Sequence, residues 1–165
     1  MLTICSAVTP LPAVTDNHVR FGREKCMESL QVSDYMNVHP VKLNPEMTVA
    51  EAVEALLISG QSGGPVIDKK GKVVGFLSEQ DCIAQMIASS YYREQICRVS
   101  EMMRTPVISI KPYLSVIELA QLLIRDKPRV YPVVDDDGVL LGTINRSSVL
   151  KAIDIQLRSG YQQAS

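Results

Sequence analysis

Apolar and polar positions follow the same order twice along the chain, and the second copy lies 67 positions after the first. The stretch TVAEAVEALL, which begins at Thr48, matches SVIELAQLLI, which begins at Ser115. PVIDKKGKVVGFL, from Pro65, likewise matches PVVDDDGVLLGTI, from Pro132. Because there are two copies, we expect a folded-back pair of similar units rather than a solenoid, which needs three or more.

Each copy predicts the element order β-α-β-β-α, which corresponds to an α+β fold. A short extended segment containing PVKL or PVISI comes first. The helix after it begins at a capping box, in which Thr48 is followed by Glu51 and Ser115 by Glu118. The next two strands form a hairpin around KKG or DDG, where glycine supplies the left-handed backbone position. A second amphipathic helix ends each copy.

The first helix of each copy is apolar on nearly all sides, as VAEAVEALL at residues 49–57 shows. A helix of this kind is buried on more than one side. One side can pack on its own sheet, and the other needs the sister repeat or a second chain. We therefore expect the repeats to pack as a pseudo-two-fold pair and the protein to form a homodimer.

The repeat also divides the chain into parts. The flanking segments and the linker SSYYREQICR are more polar than the repeats and carry no matching pattern. We expect an N-terminal extension at 1–31, a first repeat at 32–88, a linker at 89–98, a second repeat at 99–155 and a C-terminal tail at 156–165.

Composition and charge restrict the class of function. Of 165 residues, 46% are hydrophobic, which is enough for a packed core. The formal net charge of −1, from 17 basic and 18 acidic residues, argues against a nucleic-acid partner. No apolar run approaches the roughly 18 residues of a membrane span, and the N-terminus lacks the basic start of a signal peptide. We expect a cytoplasmic protein with no membrane partner.

The sequence shows no pattern typical of an active site or a metal site. His18 and His39 have no partner at catalytic or metal-ligand spacing, and neither a phosphate-binding loop nor a nucleophile elbow is present. The four cysteines show no CxxC spacing, and buried, reduced thiols are the simplest interpretation of Cys82 and Cys97. We therefore expect no catalytic residue, no metal ligand and no enzyme activity.

The junction between the second hairpin strand and the last helix differs between the copies. GFLSEQD places Ser78 three positions before Asp81, whereas GTINRSS has Asn145 and Ser148 at the same places. Serine and asparagine are both good helix N-caps, so both helices keep their start. Ser-x-x-Asp is also a plain capping motif that stabilises a helix by roughly 1 kcal/mol. Spacing alone leaves open whether the first junction is only a cap or also a ligand site.

The hairpin P-V-V-D-x-x-G-x-x-x-G and the junction G-x-x-S-x-x-D, taken together and repeated, resemble the cystathionine-β-synthase (CBS) domain. The tandem arrangement resembles the CBS pair, or Bateman module, over residues 32 to about 153. This resemblance implies a regulatory module that holds an adenosyl ligand in a cleft between the repeats. The implied candidates are AMP, ADP, ATP and S-adenosylmethionine, and no cofactor is required.

The family pattern also implies roles for individual positions. Ser78 would meet phosphate at the positive end of a helix, and Asp81, an acceptor only when ionised, would bind the ribose hydroxyls. The family's site borrows residues from the partner repeat, including arginines suited to a forked phosphate contact. Because the second copy lacks the aspartate, we expect one site per chain. The implied ligand-binding residues are Ser78, Asp81, Arg104, Thr105, Pro106, Val107, Arg129, Val130 and Tyr131.

Two functions remain open at this point. The first is a stand-alone regulatory module that binds an adenosyl ligand and signals to a partner protein, which the sequence does not identify. The alternative is a ligand-free structural or adaptor dimer, in which Ser78 and Asp81 only cap a helix.

Overall fold

The computed structural model describes residues 30–92, 97–125 and 128–162. The expectations for residues 1–29 of the extension, 93–96 of the linker and 163–165 of the tail lie outside these ranges. The α+β fold is confirmed. In chain order the elements are α1 (Val32–Tyr35), α2 (Val49–Ser59), β1 (Gly63–Ile67), β2 (Val73–Ser78), α3 (Glu79–Tyr92), α4 (Val99–Met102), α5 (Val116–Arg125), β3 (Val130–Val134), β4 (Leu140–Asn145) and α6 (Arg146–Gln162).

Each repeat is built on an antiparallel hairpin, β1 with β2 and β3 with β4. Gly71 and Gly138 occupy the turns with φ angles of 79° and 85°, a left-handed conformation that glycine adopts without strain. Gly60 ends α2 in the same conformation, with φ at 63°. The turn chemistry predicted from the sequence is therefore confirmed.

The extended segment that leads each repeat joins its sheet at one residue. Leu43 forms a single parallel bridge to β1, and Ile110 forms the equivalent bridge to β3. Pro40 and Pro45 flank the first of these segments and lack the N–H groups that would lengthen the ladder. The predicted first strand is thus limited to one bridged position in each repeat.

The short helices α1 and α4 are exchanged between the repeats. Val32 of α1 is fully buried in the core of the second repeat, and Val99 of α4 is fully buried in the core of the first. The core of the second repeat contains Leu30, Val32, Ile110, Val116, Leu119, Tyr131, Val133, Ile144, Val149 and Ala152. The core of the first contains Leu43, Val49, Ala52, Leu56, Val66, Leu77, Cys82 and Val99.

The seam between the repeats shows the expected pseudo-two-fold symmetry. Arg104 forms an antiparallel bridge with Phe76 of β2, with N–O distances of 2.8 and 3.2 Å. Asn37 bridges Thr143 of β4 in the same way, at 2.7 and 3.0 Å. Both members of the second pair lie 67 positions from their counterparts in the first, so the two halves of the seam are equivalent.

Glycines in the returning strands make this close approach possible. A Cβ atom on Gly75 of β2 would lie 2.3 Å from the sulfur of Met103. On Gly142 of β4 it would lie 2.6 Å from the carbonyl oxygen of Asn37. The glycine that recurs in the two hairpins therefore serves the contact between the repeats.

The helix starts agree with the sequence pattern in one repeat and partly in the other. Glu51 N donates to Thr48 Oγ at 3.2 Å, and Thr48 N donates to the Glu51 carboxylate at 2.8 Å, which completes a capping box. Ser115 Oγ instead accepts from Ile117 N at 3.2 Å. Within the described residues Glu118 adds no hydrogen bond, so the box predicted at Ser115 is wrong and Ser115 is a simple N-cap.

Several large apolar side chains of the repeat helices face outward. Leu57 and Ile58 of α2 are 72% and 80% exposed. The sequence places Cys82, Ile83, Met86 and Ile87 on one apolar face of α3. In the structure Cys82 is buried, and the other three residues are exposed. No helix within the described ranges has the length and apolar character needed to cross a membrane. The exposed apolar residues on helices are Leu57, Ile58, Ile83, Met86, Ile87, Leu122, Ile124, Leu150, Ile155 and Leu157.

Candidate functional site

The site is organised around the junction between β2 and α3. Ser78 ends the strand, and its hydroxyl oxygen accepts from Asp81 N at 3.3 Å. Ser78 N and its hydroxyl both donate to Asp81 Oδ2. This reciprocal arrangement is a capping box with aspartate in place of glutamate. The helix-capping interpretation of the motif is therefore realised in the structure, and it fixes the Asp81 carboxylate at the start of α3.

Arg104 reaches this junction from the second repeat. Its backbone is held by the bridge to Phe76, which places its side chain above the first turn of α3. Arg104 Nη2 lies 2.6 Å from Asp81 Oδ1, and Nε lies 3.0 and 3.1 Å from the two carboxylate oxygens. The Asp81 side chain is 15% exposed and that of Arg104 is 65% exposed. A mostly buried acid of one repeat is thus paired with a mostly exposed base of the other.

The charges at the junction shift the pKa values of the groups involved. Partial burial raises the pKa of the Asp81 carboxyl, but hydrogen bonds from Arg104 and Ser78 lower it by more, so it lies below its ordinary value. The hydrogen bond to Asp81 raises the pKa of the Arg104 guanidinium. Burial, followed by the charges of Asp81 and Glu79, raises the pKa of the Cys82 thiol. Asp81 is therefore ionised at neutral pH, whereas Cys82 stays a thiol.

A cavity of about 340 Å³ opens beside this ion pair, between the two repeats. Its volume lies within the range of roughly 300–1,000 Å³ typical of small-molecule sites. Glu79 and Gln80, the first residues of α3, line it together with Arg104 and Arg129, so the positive end of the helix, two cations and one acid border the space. The remaining lining residues are Ser62, Phe76, Ser78, Pro106, Val107, Ile108, Pro128, Val130 and Pro132.

The structure brings together most, but not all, of the residues that the sequence singled out. The six that line the cavity are Ser78, Arg104, Pro106, Val107, Arg129 and Val130. Asp81 lies next to the cavity, behind Arg104, and Thr105 is exposed in the leading segment without lining it. Tyr131 is 1% exposed and packs in the core of the second repeat, so its side chain does not reach the cavity.

Sequence reasoning missed part of the apolar wall. Phe76 lies two positions before Ser78 in β2, and Ile108 follows Pro106 and Val107, which also line the cavity. Residues two apart in an extended chain point to the same side. This alternation identifies Phe76 once the direction of Ser78 is known, whereas Ile108 had no such signal, because three successive residues line the cavity there.

The second junction is built differently. Asn145 Oδ1 accepts from Ser148 N at 2.8 Å, so the expected N-cap of α6 is confirmed. The counterpart of Arg104 at the 67-residue offset is Asn37, whose amide oxygen accepts from His39 N at 3.0 Å. The second junction thus lacks both the acid and the base of the first.

Comparison with known proteins identifies the fold family. A family model of the CBS domain matches residues 32–88 and 99–155. The chain belongs to the CBS-domain family. The recognition of a CBS pair from the repeated motifs is therefore confirmed, and the exchanged helices and paired hairpins are the structure of a CBS pair.

Three CBS-containing proteins illustrate the similarity. The chloroplastic CBS domain-containing protein CBSX1 of Arabidopsis thaliana is 29% identical over 78% of this chain, which spans 64% of that protein. The crystal structure of CBSX2 from the same plant in complex with AMP is 29% identical, with a TM-score of 0.67, and the match covers 78% of this chain and 98% of that one. The inosine-5′-monophosphate dehydrogenase of Methanocaldococcus jannaschii is 27% identical over 76% of this chain, which spans 23% of that enzyme. CBS repeats thus also occur within a longer enzyme.

Proposed function

We propose that this CBS pair is a regulatory module that binds an adenine nucleotide or related adenosyl ligand between its repeats and signals to a partner protein. The observation that carries the proposal is the cavity at the seam, which combines two arginines, a helix start and an apolar wall. The solved AMP complex of CBSX2, a similar CBS pair, supports the choice of ligand class. The module acts by binding, because a ligand that prefers one arrangement of the repeats shifts the population toward it.

The lining residues suit the parts of AMP. Arg104, Arg129 and the start of α3 favour the phosphate, since guanidinium groups bind phosphate through two parallel hydrogen bonds. The half-buried Val107 and Val130 provide flat apolar contact for the base. Asp81 supplies acceptors for the ribose hydroxyls.

Melting and calorimetry with AMP, ADP, ATP and S-adenosylmethionine test this function. A ligand at 100 times its dissociation constant adds about 2.7 kcal/mol to the free energy of unfolding. We expect AMP to raise the melting temperature and to bind with a stoichiometry of one per chain. Absence of any shift with all four ligands at millimolar concentration would remove the proposal.

That negative result would favour a ligand-free structural dimer instead. One observation supports this alternative: Ser78 and Arg104 together satisfy the Asp81 carboxylate. In a purely structural protein, the helix cap and the ion pair across the seam would by themselves explain why these three residues occur.

We also propose that the outward apolar helices bind a second copy of the chain. The helices of the first repeat, α2 and α3, carry only acidic charges, whereas α6 carries three basic residues and one acidic residue. This separation favours antiparallel pairing, in which the first repeat of one copy meets the second repeat of the other. Lys151 and Ile155 are four positions apart and share one exposed face of α6.

Light scattering during size exclusion tests both the dimer and its orientation. We expect a dimer that Lys151→Glu weakens, because the new carboxylate faces the acidic helices of the other copy. In a parallel dimer the same substitution relieves repulsion between two α6 helices and does not weaken association. Lys42→Glu, at an exposed position outside the helices, is the matched control. A monomer at every concentration would contradict the proposal.

A further inference from the structure

The ion pair at the seam leaves Asp81 without free acceptors. A carboxylate offers about four acceptor positions. Asp81 Oδ2 accepts from Ser78 N, Ser78 Oγ and Arg104 Nε, while Oδ1 accepts from Nε and Nη2 of Arg104. Two ribose hydroxyls cannot bind this carboxylate while Arg104 remains in place.

Arg104 itself is able to change partners. A guanidinium has five N–H donors, and the contacts to Asp81 use those of Nε and one on Nη2. The side chain is 65% exposed and also lines the cavity. Its backbone is fixed separately by the bridge to Phe76, so the guanidinium can turn toward the cavity without loosening the seam.

We propose that Arg104 makes this site selective for phosphorylated adenosine compounds, because only a phosphate in the cavity draws Arg104 away from Asp81 and so frees the carboxylate for ribose. The inference rests on the proposed nucleotide-binding function. A phosphate replaces the carboxylate as a forked partner of the guanidinium. Adenosine offers no such replacement, so it must break the ion pair without compensation. Arg104 thus acts as a specificity-determining residue for both phosphate and ribose.

Arg129 provides a contrast within the same cavity. It also lines the space, but among the described residues no carboxylate lies within ion-pair distance of it. An arginine of this kind contributes to phosphate affinity without controlling Asp81. The two arginines are therefore distinguished by their effect on a ligand that has no phosphate.

Calorimetry with AMP and adenosine on the wild-type chain, Arg104→Gln and Arg129→Gln tests the inference. We expect wild type to bind AMP at least about tenfold more tightly than adenosine, the factor that one charge-assisted hydrogen bond provides. Both substitutions weaken AMP binding. Arg104→Gln alone strengthens adenosine binding, by several-fold, because Asp81 is released. Adenosine affinity that is unchanged or lower in folded Arg104→Gln would overturn the inference.

A second measurement needs no substitution. Inorganic phosphate at tens of millimolar should strengthen adenosine binding to wild type, whereas sodium chloride at the same ionic strength should not. Independent binding of phosphate and adenosine would overturn the inference while leaving AMP binding, and with it the proposed function, intact. A wild-type chain that binds neither AMP nor adenosine would remove the proposed function and this inference together.

Discussion

Arg104 and Asp81 belong to different repeats, yet Nη2 of the arginine lies 2.6 Å from Oδ1 of the aspartate. Their pairing joins the leading segment of the second repeat to the first turn of α3 in the first repeat. The contact lies at the edge of the seam cavity, which Arg104 also lines. The same two side chains therefore contribute to the join between the repeats and to the site proposed for the ligand.

Asp81→Ala should reduce AMP affinity by tenfold or more, on the order expected for charge-assisted hydrogen bonds. The fold should remain, with a loss of about 1 kcal/mol in the free energy of unfolding from the missing carboxylate bonds to Ser78 and Arg104. Calorimetry and chemical unfolding measure the two effects. Ser148→Ala, at the equivalent position of the second repeat, is the matched control. Equal AMP affinity in wild type and Asp81→Ala would remove Asp81 from the site.

Stability should depend on the protonation of Asp81. Its pKa is lowered in the folded chain, so its contribution is complete above the unfolded value of about 3.9 and is lost as the pH falls through the lower folded value. The difference in unfolding free energy between wild type and Asp81→Asn should be constant from pH 7 to 5 and should shrink below pH 4. Urea unfolding at several pH values measures it. The other acids are unchanged in the variant, so a difference that grows with acidity would contradict the assignment.

Substitution of the seam glycines should destabilise the pair to different extents. In Gly142→Ala the new methyl meets a backbone oxygen of Asn37, which cannot rotate away. In Gly75→Ala it meets the Met103 side chain, which can partly adjust. We expect losses within about 1–3 kcal/mol, larger for Gly142→Ala. Chemical unfolding measures both, and the reverse order would mean that the seam is packed differently.

The N-caps of α2 and α5, Thr48 and Ser115, should also differ in how much they stabilise the fold. Thr48→Ala removes the hydroxyl that accepts from Glu51 N and donates to the Glu51 carboxylate, and it should cost about 1 kcal/mol. Ser115→Ala removes one hydrogen bond to Ile117 and should cost less. Thr48→Ser keeps the hydroxyl and serves as the control. Thermal melting of the three variants measures the order, and an equal loss for both alanine variants would show that the bond from the Thr48 hydroxyl to the Glu51 carboxylate contributes nothing.

Much of the fold could be predicted from the repeated pattern. Positive φ angles at Gly71 and Gly138 were predictable because the hairpin chemistry is local and occurs twice. The exchange of α1 and α4 was not predictable from the sequence. The two copies of the pattern lie 67 positions apart whether Val32 packs on its own repeat or on the other one. Only the distances across the seam distinguish the two arrangements.

The candidate site was predictable where a family motif covers it. It was unpredictable where tertiary contacts determine which side chains reach the cavity. Val107 and Val130 lie at the cavity as the resemblance implied, whereas Tyr131, next in sequence, points into the core. Strand alternation separates these last two, since neighbouring residues face opposite sides. The ion pair between Arg104 and Asp81 had no signal in the sequence, because no local pattern couples side chains that are 23 positions apart.

The exchange of α1 and α4 has a consequence for how the protein can be divided. A fragment cut at the boundaries of the first sequence repeat would keep Val32, which has no place in that core, and would lose Val99, which fills it. Neither half is a self-sufficient building block. The smallest portion that can be transplanted into another protein is the intact pair. A substitution that disrupts either core affects both repeats.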